Sequence, residues 1–144
     1  PGVPQVYMTL SKNGPKEKLC REYKTTESST TVNNLVILEK RGNEQTQLNC
    51  IETLKSDRKG QFSVECELPG NSGKKVQFES SVIATDNKNY AILQTCPKTE
   101  SSIVTEDIVV LQTNEEGVEE GVTNYFTSQG WSLDTWHSRK KVKC

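Results

Sequence analysis

Few side chains in this 144-residue chain could do acid–base or metal chemistry. His137 is the one histidine; although Asp134 and Ser138 are near it, a histidine beside a tryptophan in a chain tail is typical of a structural role. The five cysteines are too widely spaced for the CxxC pattern of zinc or redox sites, and they are Cys20, Cys50, Cys66, Cys96 and Cys144. We therefore expect no enzyme, no metal and no cofactor, and we expect disulfides in an oxidising, extracellular compartment.

The odd number of cysteines leaves one without a partner in the chain. The chain begins at Pro1, with neither a methionine nor a signal segment. We interpret it as processed or N-terminally incomplete, so that the partner of one cysteine is expected in the missing stretch.

The composition indicates an all-β fold with a thin core. Apolar residues make up 32% of the chain, below the ~45–50% of typical globular domains, and the net charge is −1. There are 13 valines, 6 isoleucines and 15 threonines against two alanines and one methionine, and β-branched side chains favour strands. No apolar run approaches the ~18–20 residues of a membrane span, and the balanced charge argues against a general nucleic-acid binder.

Turn signals divide the first three quarters of the chain into short, evenly spaced segments typical of strands. In the fifth segment Phe62, Val64 and Cys66 alternate with polar residues. In the sixth, Phe78, Ser80, Val82 and Ala84 share one face. The eight predicted strands are Val3–Leu10, Leu19–Thr26, Val32–Glu39, Thr46–Leu54, Phe62–Leu68, Lys75–Thr85, Tyr90–Cys96 and Ile108–Thr113.

The pattern changes after the eighth strand. Glu119–Ser128 is predicted to form a short helix that ends at Gly130, and Trp131 and Trp136 follow with the largest apolar side chains of the chain. Eight strands, one helix and few apolar residues favour a single domain over 1–144, an eight-stranded antiparallel up-and-down β-barrel with a ligand cavity. A sandwich fits the strand count but needs a better-filled core.

Several segments together resemble one family of lipocalins. Residues 85–91 (TDNKNYA) are similar to the T-D-x-x-x-Y-A signature of lipocalins. Residues 6–16, 20–26 (CREYKTT), 60–66 (GQFSVEC) and 110–113 (VLQT) resemble the triabin-like salivary lipocalins of triatomine bugs, in particular the pallidipin, triplatin and triafestin group. The chain lacks the lipocalin G-x-W, with Val6 in place of its tryptophan, and has Thr113 in place of an arginine. We expect Trp131 or Trp136 to replace that tryptophan–arginine plug.

The resemblance implies how the cysteines pair. It implies a bridge from Cys20 to Cys144, a second bridge from Cys50 to Cys66 across the fourth and fifth strands, and a pairing of Cys96 with an N-terminal cysteine absent from this chain. If Cys20 points outward to meet the tail, alternation turns Leu19, Arg21 and Tyr23 inward.

An inward arginine is costly unless a carboxylate, a hydroxyl or water meets it. One interpretation of Arg21 is a solvated or glutamate-paired side chain at the rim, and the other is a polar anchor for an acidic or hydroxylated lipid. Gln112 is a candidate for a second hydrogen bond to that lipid. The residues expected to line the cavity are apolar or aromatic: Leu19, Tyr23, Phe62, Val64, Phe78, Val82 and Leu93. Each also fits ordinary core packing.

The resemblance implies a secreted protein that sequesters a small lipid mediator, an eicosanoid such as thromboxane A2, and so inhibits platelet aggregation. A second hypothesis is a protein-binding inhibitor of contact-phase coagulation or kallikrein–kinin activation, which would use loops and the basic tail Arg139–Lys143. A biogenic-amine carrier is the third hypothesis. It needs a carboxylate inside the barrel, which alternation does not supply convincingly. A haem carrier is not expected, since His137 lies outside the barrel strands.

Overall fold

The structure of the chain is a computed structural model. It covers residues 5–12, 19–27, 29–41, 43–55, 60–67, 75–86, 88–98, 106–114 and 117–139, without the side chains of Leu19 and Arg41. Eight strands agree with the predicted segments to within two residues at each described end. They are β1 (Gln5–Ser11), β2 (Leu19–Glu27), β3 (Val32–Arg41), β4 (Glu44–Leu54), β5 (Gln61–Glu67), β6 (Lys75–Thr85), β7 (Tyr90–Pro97) and β8 (Asp107–Gln112).

The sheet closes on itself. Each strand pairs antiparallel with the next along the chain, from β2 to β8. β1 then pairs with β8 on one side, where Met8 faces Leu111, and with β2 on the other, where Val6 faces Tyr23. The predicted all-β antiparallel barrel is confirmed, because a sandwich would leave these edges unjoined.

A ninth strand of two residues, β9 (His137–Ser138), was not predicted. It pairs antiparallel with β1, where Ser11 faces His137 and Leu10 faces Ser138. A two-residue strand has too little alternation to stand out in a sequence.

Helix α1 (Glu120–Gln129) packs on the outside of the barrel wall. It ends as predicted at Gly130, whose φ of 71° is the left-handed conformation that favours glycine. The Trp131 N–H then bonds back to the Phe126 carbonyl at 2.9 Å, and the two rings lie 5.4 Å apart.

Trp131 and Trp136 belong to this outer cluster. They pack with Phe126 and with Leu10 and Val110 of the wall. The expectation that Trp131 or Trp136 replaces the tryptophan–arginine plug at the closed end of the barrel is therefore wrong, because both pack with α1 outside the wall. Val6 packs instead against the interior cluster of Met8, Val109 and Leu111.

Two β-bulges change which side chains face inward. One lies between Met8 and Leu10 of β1, and the other between Val82 and Ala84 of β6. The extra residue reverses the alternation, so that Ala84 packs in the outer cluster rather than sharing a face with Phe78. The sequence prediction for Ala84 is wrong for this reason.

The predicted Cys50–Cys66 disulfide is confirmed. The two residues are directly opposed on β4 and β5. Cys20 is also disulfide-bonded, but its predicted partner Cys144 lies outside the described residues. Cys96 is exposed on β7 with a free thiol, and its pairing with an N-terminal cysteine stays a prediction. None of the helices in the described ranges has the length and hydropathy to cross a membrane.

Candidate functional site

The barrel interior is the candidate site, and its lining is mostly apolar. Two buried clusters belong to it. One joins β3 to β6 and contains Leu35, Ile37, Leu48, Cys50, Val64, Cys66 and Phe78; the other joins β1 and β8 through Met8, Val109 and Leu111. Tyr23 packs against both clusters, so they form one continuous surface. Such a lining suits the apolar part of a small ligand.

Most of the side chains predicted to line a cavity lie on this interior face. Val64 and Phe78 are in the first cluster, and Leu93 packs against the second. Phe62 is buried and faces Ser80, which is in phase with Phe78, and Val82 faces Leu93. Leu19 is on β2, but its side chain lies outside the described part of the chain. That these residues contact a ligand stays a prediction.

Arg21 lies on the interior face opposite Glu39. The two residues are cross-strand partners on β2 and β3, and alternation puts Glu39 in phase with Leu35 and Ile37. Arg21 Nη2 is 2.5 Å from Glu39 Oε1, and the side chains are 17% and 7% exposed. Two charges removed from water to this extent are stable only as a pair.

Further groups surround the guanidinium of Arg21. Its Nη1 lies 3.9 Å from the Met8 sulfur, and the side chain of Tyr23 is near enough to act on its charge. Burial by itself lowers the pKa of the guanidinium, but Tyr23 and Glu39 outweigh that effect and raise it, so Arg21 stays charged.

Arg21 Nε is buried and has no hydrogen-bond partner in the described chain. Every other buried side-chain nitrogen or oxygen there has one. An unpaired buried donor is rare in folded proteins, and it is a natural point for a ligand oxygen to bind.

The interior also holds carboxylates that sequence reasoning missed. Glu39 is one. Asp107, at the start of β8, is buried; one of its oxygens accepts a hydrogen bond from the Ser11 hydroxyl and the other from the Ile108 N–H at 2.8 Å. The apolar alternation Leu35, Ile37 was the signal that could have identified Glu39 as the next inward position. The expectation of no convincing interior carboxylate is wrong.

Gln112 lies on the other side of the wall. It is in phase with Ile108 and Val110, which pack under α1, and it is fully buried. Its Nε2 donates to the carbonyls of Asn114 and Gly117 at 3.3 and 3.2 Å, and its Oε1 accepts from the Glu119 N–H at 3.1 Å. The expectation that Gln112 holds a ligand inside the barrel is corrected by this geometry, because its amide is used in fixing the connection to the helix.

The described part of the C-terminal tail is tied to the outside of the barrel. His137 lies in β9, where it is the cross-strand partner of Ser11 on β1. Arg139 donates to the Arg21 carbonyl at 3.4 Å and lies 4.9 Å from the centre of the Tyr7 ring. The rest of the basic tail is outside the described residues. Among the described residues, no group of three or more histidine, cysteine or acidic side chains could hold a metal ion.

Comparison with known proteins gives a family match over most of the chain. The Triabin family model matches residues 3–125. Pallidipin from Meccus pallidipennis is 56% identical over 99% of this chain and 78% of its own length, and Dipetalodipin from Dipetalogaster maximus is 52% identical over 99% and 79%. Platelet inhibitor triplatin-2 from Triatoma infestans is 41% identical over 99% and 77%.

Solved structures share the fold at low identity. A variant of LTBP1 in complex with leukotriene C4 has a TM-score of 0.69 at 21% identity, with 99% of this chain and 83% of that chain covered. The tryptamine complex of the amine binding protein of Rhodnius prolixus has a TM-score of 0.71 at 17% identity, with 96% and 78% covered. At this identity the likeness shows a common barrel.

Proposed function

The chain belongs to the Triabin family of lipocalin-fold binding proteins, which are not enzymes, and from that premise we propose that it sequesters a small lipid mediator and so inhibits platelet aggregation. The lipid is of the eicosanoid class, such as thromboxane A2. The protein acts by stoichiometric binding in the barrel, so that the mediator is withdrawn from its receptor.

The interior lining is the observation that carries the proposal. It combines a continuous apolar surface with one cation, Arg21, whose Nε has no partner in the described chain. An eicosanoid likewise combines a large apolar part, its long hydrocarbon chains, with a few polar oxygen functions. The chains would lie against residues such as Val64, Phe78 and Leu93, and one oxygen would accept from Arg21.

The relatives support a mediator over other cargo. One relative is named a platelet inhibitor, and one protein with this fold is solved with leukotriene C4. The amine binding protein has the same fold, but here the interior carboxylates already have partners. Glu39 is paired with Arg21, Asp107 accepts from Ser11 and Ile108, and Glu52 accepts from Asn33. An amine would have to displace one of these contacts.

Scavenging requires tight binding and a compartment shared with the mediator. Nanomolar affinity corresponds to about −12 kcal/mol at 25 °C. The Cys50–Cys66 disulfide supports an oxidising, extracellular location, and secretion is part of the proposal.

Calorimetric titration with a stable thromboxane A2 analogue tests the proposal. We expect one site per chain and a Kd at or below the micromolar range. The Arg21→Ala variant is expected to bind roughly 10- to 100-fold more weakly, because a charge-assisted hydrogen bond is lost. Lys24→Ala, an exposed position on the same strand, is the control and is expected to bind as the wild type does.

No heat with any prostanoid at micromolar protein would contradict the proposal. Prolonged clotting of platelet-free plasma by the same preparation would then favour the protein-binding inhibitor of contact-phase coagulation or kallikrein–kinin activation.

A further inference from the structure

We propose that Glu39 makes the polar part of the barrel interior, the Arg21–Glu39 pair, selective for an uncharged oxygen of the ligand, such as a hydroxyl, ether or carbonyl oxygen. No ligand carboxylate is needed at Arg21. The inference rests on the proposed function, because it specifies which part of the lipid the same site reads. It makes Glu39 a residue that determines specificity.

The charge of Arg21 is already balanced. Glu39 is its direct cross-strand partner, with 2.5 Å between Nη2 and Oε1, and both side chains are largely removed from water. A ligand carboxylate brought to this point would meet the negative charge of Glu39 as well as the positive charge of Arg21. Its attraction to the pair would not offset the loss of its own hydration.

The rest of the described interior adds negative charge. Asp107 is buried in phase with Val109 and Leu111 on β8. Glu52 on β4 faces Val64, is half-buried and accepts a hydrogen bond from Asn33 at 3.1 Å. Among the interior side chains that the structure describes, Arg21 is the single cation against these acidic groups, so a second anion is disfavoured further.

Arg21 still offers one N–H donor, and the charge of its guanidinium is already balanced by Glu39. Nε is buried and lacks an acceptor in the described chain, whereas the other guanidinium nitrogens lie beside Glu39 and Met8. An uncharged oxygen can accept this bond with a far smaller loss of hydration than a carboxylate suffers. The apolar side chains nearby, Met8 and Tyr23 among them, would hold the hydrocarbon on either side of that oxygen.

The ligand class that follows is a lipid with an oxygen function part-way along its chain. A simple saturated fatty acid, whose polar atoms are all in the carboxylate, would be a poor ligand for this point. An oxygenated lipid presents a hydroxyl or ring oxygen between two apolar segments and matches the position of Nε between apolar walls.

The experiment compares one stable thromboxane A2 analogue as its free acid and as its methyl ester. In the wild type we expect the two Kd values to agree within about threefold. In Glu39→Gln, which keeps the size of the side chain and removes its charge, the free acid is expected to gain at least tenfold in affinity relative to the ester. Glu67→Gln, at an exposed position on β5, is the control and should keep the wild-type ratio.

The outcomes separate this inference from the function on which it rests. A loss of tenfold or more on esterification in the wild type would overturn the inference while leaving lipid binding intact. An acid-to-ester ratio unchanged by Glu39→Gln in a protein with wild-type circular dichroism would also overturn it. If Glu39→Gln does not fold, the wild-type comparison still decides. Failure of both acid and ester to bind would contradict the proposed function itself.

Discussion

The side-chain oxygen of Gln112 accepts a hydrogen bond from the backbone N–H of Glu119 at 3.1 Å, which joins the end of the last barrel strand to the start of α1. The nitrogen of the same amide donates to two carbonyls of the intervening connection, those of Asn114 and Gly117. One buried side chain thus satisfies three backbone groups and fixes how the helix leaves the barrel.

Replacing Gln112 by alanine is expected to lower stability and to leave ligand binding almost unchanged. Three hydrogen bonds to a fully buried amide are lost, at roughly 1 kcal/mol each, so urea unfolding should show a decrease of about 3 kcal/mol in the free energy of unfolding. The control Gln94→Ala is exposed on β7 and should change it by less than about 0.5 kcal/mol. A Kd for the thromboxane analogue that rises tenfold in Gln112→Ala would return this residue to the ligand site.

Gly121 is needed for close packing of α1 on the barrel. A Cβ at this position would lie 2.5 Å from Cε1 and 2.7 Å from the hydroxyl oxygen of Tyr90, a contact too short to tolerate. Alanine normally favours a helix by about 1 kcal/mol over glycine. Here we expect Gly121→Ala to destabilise by roughly 1–3 kcal/mol in urea unfolding, because the helix or the ring must move.

A second substitution shows whether Tyr90 is the cause. In a Tyr90→Leu background the ring is gone, so adding Gly121→Ala should be neutral or stabilising. Equal destabilisation by Gly121→Ala in both backgrounds would mean that the contact does not limit the helix position.

Asp86 stabilises the turn between β6 and β7 through its charge. Its Oδ1 accepts hydrogen bonds from the backbone N–H groups of Tyr90, Lys88 and Asn89 at 3.0, 2.9 and 2.7 Å. These bonds, with that from Tyr90 first, lower the pKa of Asp86 to about 2. A carboxylate with a depressed pKa contributes stability above its unfolded pKa, near 4, and this contribution is lost as the pH falls towards 2.

The Asp86→Asn variant tests this pH dependence. Its Tm should be a few degrees below that of the wild type at pH 7, and the difference should shrink between pH 4 and pH 2 as wild-type Asp86 becomes protonated. Thermal unfolding followed by circular dichroism measures both. A difference that stays constant over this range would contradict a role for the charge.

The Cys50–Cys66 disulfide lies inside the barrel among Leu48, Val64 and Phe78. It closes a loop with a sequence separation of 16, for which the chain-entropy model gives about 3 kcal/mol. We expect the double variant Cys50→Ala/Cys66→Ala to lose at least that much in urea unfolding, since two buried sulfurs also leave a cavity. Unchanged stability would show that the strand pairing alone holds β4 to β5.

The strands were largely predictable because alternation is a local property. Phe62, Val64 and Cys66 alternate without interruption and lie on the interior face as expected. The bulge between Val82 and Ala84 could not be foreseen, since it depends on where β6 meets β7 and not on the side chains of β6 itself.

The polar part of the site was less predictable for a different reason. Arg21 was identified as an inward cation, but its partner Glu39 lies on another strand, and only the register of β2 on β3 brings them together. Gln112 was misassigned because the facing of β8 depends on which of its alternate residues α1 covers. Such pairings arise from tertiary structure, which a single sequence does not encode in its local pattern.

Isotope-filtered NOE spectroscopy on methyl-labelled protein locates the bound lipid and so tests directly whether it lies within the barrel. We expect NOEs from the thromboxane analogue to the interior methyl groups of Met8, Val64 and Leu93. None is expected to Val110 on the outer face of the wall or to Val122 of α1, which packs against it. NOEs confined to outer-face methyl groups, with the interior ones silent at saturating ligand, would contradict binding within the barrel.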